Sequence, residues 1–310
     1  MRNSSTLVAT FAAFGVATFL AGCGNSENGG ANTRPTVTVK PKSSDPAETA
    51  DTGSAAGTTT DGSSDGAAGG GTGTFKGVVV VKGNAPEQNL LVRKGDTNAK
   101  DAAVCAAEDI PNEALAVGEN GGLANVFVFL PKAPKGAEVA PTPEEPAIFD
   151  QKNCRFLPHC LIVRAGQTIN VLNDDAILHN THTYPLSNEA FNKSIPVNER
   201  NGIPLVYTSV EKLPVSVGCD IHPWMRAWHL PLDHDFAAVT DENGEFEIEN
   251  LPAGTHEFVV WHSKAGYIER KFKGTVKSGE PQSVTIEADA AKLANGPGDV
   301  KSINISALGR

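Results

Sequence analysis

The chain has 310 residues and a net charge of −10, with 36 acidic against 26 basic side chains. No basic patch stands ready to neutralise phosphates, which excludes a nucleic-acid partner. Aromatic residues are only 6%, glycine (31) and proline (20) are plentiful and no long helical period runs through the chain, so the composition points to an all-β fold.

Arg2 precedes an apolar run over 7–20 (LVATFAAFGVATFL), too short to span a bilayer comfortably and read as an export signal. Leu20-Ala21-Gly22-Cys23 closes it and resembles the lipobox of bacterial lipoproteins. That resemblance implies a signal peptide over 1–23, lipidation of Cys23, and a lipid anchor in the periplasm or at the outer membrane or cell surface. Over 24–74 the sequence is Gly, Ser, Thr, Ala and Asp with almost no large apolar side chain. Such a stretch cannot bury enough surface to offset its ordering entropy, which predicts a disordered tether.

A first strand is predicted over 75–82 (FKGVVVVK), and 89–107 is ambiguous. Residues 123–130 (LANVFVFL) read as a strand followed by a Pro-rich connection. Residues 160–164 and 168–172, separated by Ala165-Gly166, read as a hairpin. Further strands are expected over 213–217, 228–232, 236–240, 246–248, 257–261 and 283–288. Asp241-Glu242-Asn243-Gly244 and Pro252-Ala253-Gly254 supply turns between them.

The segment Cys219-Asp220-Ile221-His222-Pro223-Trp224-Met225 places a thiol, an imidazole and a thioether on one short loop. That soft donor set selects copper, and two His, one Cys and a weak axial Met make a blue-copper site. Met225 is the only methionine after the initiator.

The stretch from Ala165-Gly166-Gln167-Thr168 through Asn173 to His179-Asn180 resembles the cupredoxin strand-turn-strand that leads to the first His ligand. The loop from Cys219 to Met225 is similar in spacing to that of the amicyanin-type cupredoxins. The resemblance implies a Greek-key sandwich over 136–234 holding one copper ion through His179, Cys219, His222 and Met225. It also implies that Asn180 ties the two ligand loops together and that His222 is the ligand at the solvent edge. His159 is expected at the same end, as a further ligand or an outer donor. His182, three residues past His179, should face the other side of the sheet. His229, His234, His256 and His262 read as single satisfied histidines.

Residues 239–262 (VTDENGEFEIENLPAGTHEFVVWH) resemble carboxypeptidase regulatory-like and rhamnogalacturonan-lyase-associated β-sandwich modules. This implies a second small sandwich over 235–310, with 75–135 supplying N-terminal strands that could be its first part. With Cys23 lipidated and Cys219 on metal, three cysteines remain, enough for one disulfide in an oxidising compartment. Cys105–Cys154 is the first choice, leaving Cys160 free, and Cys105–Cys160 stands open beside it. The expected function is copper-mediated electron transport with a protein redox partner. A copper buffer, or a surface module using the fold as scaffold, are the alternatives. No hydrolase motif occurs, so no enzyme activity is expected.

Overall fold

A computed structural model describes residues 70–295, so the expected signal peptide, Cys23 and nearly all of the tether lie outside the described residues. What is described is all-β, apart from short helical turns, and builds two sandwiches.

The first pairs a five-stranded sheet with a four-stranded one. The five-stranded sheet runs Asn192–Ile195, His179–Tyr184, Val215–Gly218, Arg226–Leu232, Cys160–Arg164. The four-stranded sheet runs Ile203–Val206, Thr168–Val171, Ala147–Lys152, Arg155–Leu157. Phe149, Phe156, Ile169 and Val171 from one sheet meet Val215, Val217 and Ala227 from the other in a common core.

The second sandwich is made from chain on both sides of the first. Thr72–Lys82 lies between Glu245–Pro252 and Gln282–Asp289 in one sheet. Val126–Phe129 lies between Ala237–Val239 and Gly254–His262 in the other, with Gly266–Val276 at its edge. Phe75 stacks on Phe258 at 4.4 Å in the core between them. Val126–Phe129 is buried on both faces. Val126 and Val128 enter this core, while Phe127 and Phe129 pack with Leu230, Leu232 and Trp261 between the two sandwiches. Each fully buried Phe contributes about 1.5–3 kcal/mol, so this layer joins the sandwiches firmly.

Two expectations are corrected. The first strand starts at Thr72, inside the stretch read as tether, and Gly73 pairs with Leu251. A Cβ on Gly73 would sit 2.2 Å from Lys277 O, so here the glycine that signals a linker is required by close strand packing. Residues 160–164 and 168–171 do not form a hairpin. Cys160–Arg164 pairs with Arg226–Leu232 and Thr168–Val171 with Ile203–Val206, so the turn at Gly166 (φ 88°) carries the chain from one sheet to the other.

Candidate metal centre

The strand Val215–Gly218 runs antiparallel to both His179–Tyr184 and Arg226–Leu232, with Gly218 opposite His182 on one side and Arg226 on the other. Cys219 through Met225 is therefore the loop of a hairpin whose end lies beside the start of the His179 strand. The loop is closed by Cys219 N–H to Met225 O (3.3 Å) and Met225 N–H to His222 O (2.9 Å).

This places three donors together. His179 Nδ1 and His222 Nδ1 are 3.0 Å apart, and Cys219 Sγ is 3.8 Å from His222 Nδ1. All three side chains are buried, and their ligand atoms lie within 4.8 Å of one another.

The other nitrogen of each ring is held by a carboxylate. Nε2–H of His179 donates to Asp175 Oδ2 (2.8 Å), and Nε2–H of His222 donates to Asp101 Oδ2 (2.9 Å). An ionised carboxylate only accepts, so each neutral imidazole carries its proton on Nε2 and keeps a lone pair on Nδ1. In that tautomer both Nδ1 atoms turn to each other and to the Cys219 sulfur, and a cation between them would have all three as donors. His222 is fully buried, which corrects its expected place at the solvent edge: Asp101 occupies the position that water would take. The ring of Trp224 lies against His222 at 5.3 Å between centroids.

Burial alone would push the Cys219 thiol up, but hydrogen bonds with His179 and His222 and with the Asn180 and His222 backbone bring it down to about 6. It is therefore a thiolate at neutral pH, the form that binds metal. Burial opposes charge on His179, yet Asp175 and Cys219 together hold its pKa above the ordinary value. Burial also opposes charge on Asp175, and His179 with the N–H groups of Cys154 and Asn153 holds its carboxyl below the usual range.

Asn180 Oδ1 accepts from Asp220 N–H (2.7 Å) and lies 3.4 Å from Cys219 Sγ, while its Nδ2 donates to Asp220 Oδ2 (2.8 Å). It thus links the His179 strand to the Cys219 loop. Met225 is buried in the same core. His159 does not join the three-residue cluster. It lines a cavity of about 260 Å³ with Met225, Trp224 and Arg155, and burial lowers its pKa to about 4. His182 points away to Asp220 (3.1 Å) and stacks with Tyr184. His256 bonds to Pro252 O (2.7 Å), but His229, His234 and His262 each leave a buried Nε2 without a partner.

Cys105 and Cys154 form the disulfide, with Cα atoms 5.3 Å apart, and Cys160 is a free, buried thiol. Asn153 and Cys154 are the two positive-φ residues (51° and 53°) of the tight turn between Ala147–Lys152 and Arg155–Leu157.

A thiolate and two tautomer-fixed imidazoles, with a buried thioether on the same loop, suit copper. The sequence did not reveal the two carboxylates. Asp175 was within reach of inference, four residues before His179, but Asp101 stands 121 residues from His222 and only the Cys105 tether hints at its return.

No protein-family model and no curated protein sequence matches the chain. Among solved structures, part of the chain is similar to a copper-containing nitrite reductase from Thermus scotoductus SA-01 (21% identity, TM-score 0.26, 31% of this chain and 24% of that one). It is similar to a purple cupredoxin from Nitrosopumilus maritimus (18% identity, TM-score 0.24, 28% and 99%). It is also similar to a reduced amicyanin mutant (20% identity, TM-score 0.25, 34% and 91%).

Proposed function

We propose that this protein binds one copper ion through His179, Cys219, His222 and Met225 and serves as an electron carrier. The observation that carries the reading is the convergence of the Cys219 thiolate with two imidazole Nδ1 atoms in one buried place. Copper bound there would supply one-electron chemistry. The residues hold the donors in place through the change of charge: Asp175 and Asp101 fix the imidazoles, and Asn180 fixes the thiolate loop. Rigid donors lower the reorganisation that accompanies electron transfer. On this reading the chain is a carrier with a protein redox partner and no enzyme, and the lipobox at Cys23 would hold it at a membrane after export.

The covered His222 favours a second reading, a copper buffer, because a closed site retains metal better than it exchanges electrons. Copper titration separates the two. A carrier takes up one equivalent, cycles reversibly between oxidation states, and exchanges electrons rapidly with a small redox protein. His159→Ala should leave its spectrum and affinity nearly unchanged. Tight binding without reversible cycling would select the buffer, and no binding at one equivalent would reject both.

A further inference from the structure

Resting on the copper reading above, we propose that Asp101 is a positioning residue for the metal. Its carboxylate, carried on a segment that the Cys105–Cys154 disulfide pins over the site, keeps His222 Nδ1 free for the ion and closes the site's outer edge.

The segment is an excursion from the second sandwich, between Thr72–Lys82 and Val126–Phe129, that packs on the first. Its base is the paired strands Leu90–Val92 and Ile110–Pro111, and Ala99, Ala102 and Val104 pack on the sandwich core. Asp101 sits near its tip, four residues before Cys105. The Asp101 side chain is 41% exposed while that of His222 is wholly covered, so the carboxylate stands between the imidazole and water.

The backbone at Asp101 supports the assignment. Its φ of 53° and ψ of 41° are left-handed, a conformation that side chains other than Asn and Asp seldom adopt. Asp101 precedes the helix Ala102–Cys105, where an Asp ordinarily accepts from the first-turn N–H groups. Its carbonyl does accept from Val104 and Cys105, at 2.9 and 3.0 Å. Its carboxylate makes no such bond and reaches His222 Nε2 at 2.9 Å instead.

The same arrangement occurs on the other ligand, where Asp175 holds His179 Nε2. A carboxylate behind an imidazole fixes the tautomer and makes the far nitrogen a stronger donor. That favours the more highly charged Cu(II) and lowers the reduction potential. It also means that a redox partner meets the Asp101 segment and not the bare His222 edge.

Asp101→Ala, Asp101→Asn and Asp101→Glu in the full protein test this. Asp101→Ala should weaken Cu(II) binding roughly 10- to 100-fold in a competition titration and raise the midpoint potential. Asp101→Asn keeps an acceptor oxygen without the charge, so it should raise the potential while better preserving affinity. Asp101→Glu should restore part of both. In metal-free protein, nitrogen NMR should show His222 protonated on Nε2, and a mixture of tautomers in Asp101→Ala. Unchanged affinity, potential and tautomer in Asp101→Ala would overturn the inference while leaving the copper reading intact. A wild-type protein that fails to bind copper through Cys219 would overturn both.

Discussion

The backbone N–H of Cys154 donates to Asp175 Oδ2 at 2.9 Å, the same oxygen that accepts from His179 Nε2. Cys154 also receives the Trp224 indole N–H at its carbonyl (3.2 Å) and is bonded through sulfur to Cys105, on the segment that carries Asp101. One residue therefore supports both imidazoles, through Asp175 on one side and the Cys105 tether on the other.

Asp175→Ala should destabilise the protein by about 3 kcal/mol, because the N–H groups of Asn153 and Cys154 and the His179 imidazole would lose a buried acceptor together. Urea unfolding would show this as a lower midpoint at constant slope. Asp175→Asn, which can still accept through one oxygen, should lose less. A change below about 0.5 kcal/mol in Asp175→Ala would mean that the three donors find other partners.

Replacing Cys105 and Cys154 together by Ser should cost about 4 kcal/mol, the chain-entropy value for a closure across 49 residues. The same pair should loosen the Asp101 segment, seen as faster amide exchange over residues 93–109 than over the strands of the sandwich. Equal protection there in both forms would show that the core contacts of Ala99, Ala102 and Val104 hold the segment without the disulfide.

How much of this was legible beforehand follows from the range of each signal. The strands and turns announce themselves through local composition, so Ala165-Gly166, Asp241–Gly244 and Pro252–Gly254 were all recognisable as turns. A turn does not say which sheet its strands join, and each of these three connects strands lying in different sheets. The meeting of Cys219 and His222 was legible because the two are three residues apart on one loop. Asp101 was not, because its partnership with His222 exists only after the chain has folded back across the intervening sandwich. Gly73 misled for a third reason: a glycine chosen for close strand packing has the same letter as one in a linker.

Acid should destabilise the metal-free protein well above the range in which carboxylates titrate. Burial holds His159 at about 4 and, as the main cause, His229 and His262 at about 3, below their ordinary value of 6.5. Between pH 6.5 and about 4 the unfolded chain therefore binds protons at these positions that the native chain refuses. Stability then falls with pH by up to roughly 1.4 kcal/mol per pH unit for each group. His179 acts oppositely, since its raised pKa gives stability at low pH that is lost as pH rises through its folded value. His234, also lowered by burial, acts with these three, and four histidines against one leave a net loss on acidification. Urea midpoints from pH 7 to pH 4.5 should decline steadily, and His229→Gln should flatten the slope by about one group. A midpoint independent of pH across that range would contradict the burial of these imidazoles.

If the Cys219 thiolate binds copper with His179 and His222, the visible absorption of the Cu(II)-loaded protein must show it. The wild-type protein should show an intense sulfur-to-copper charge-transfer band at one equivalent of copper. Met225→Leu should keep that band while raising the potential, as expected on losing a weak axial donor. Cys219→Ser should abolish it. A wild-type spectrum without the band, or a Cys219→Ser protein that binds copper with unaltered spectrum and affinity, would show that the Cys219 sulfur is not a ligand.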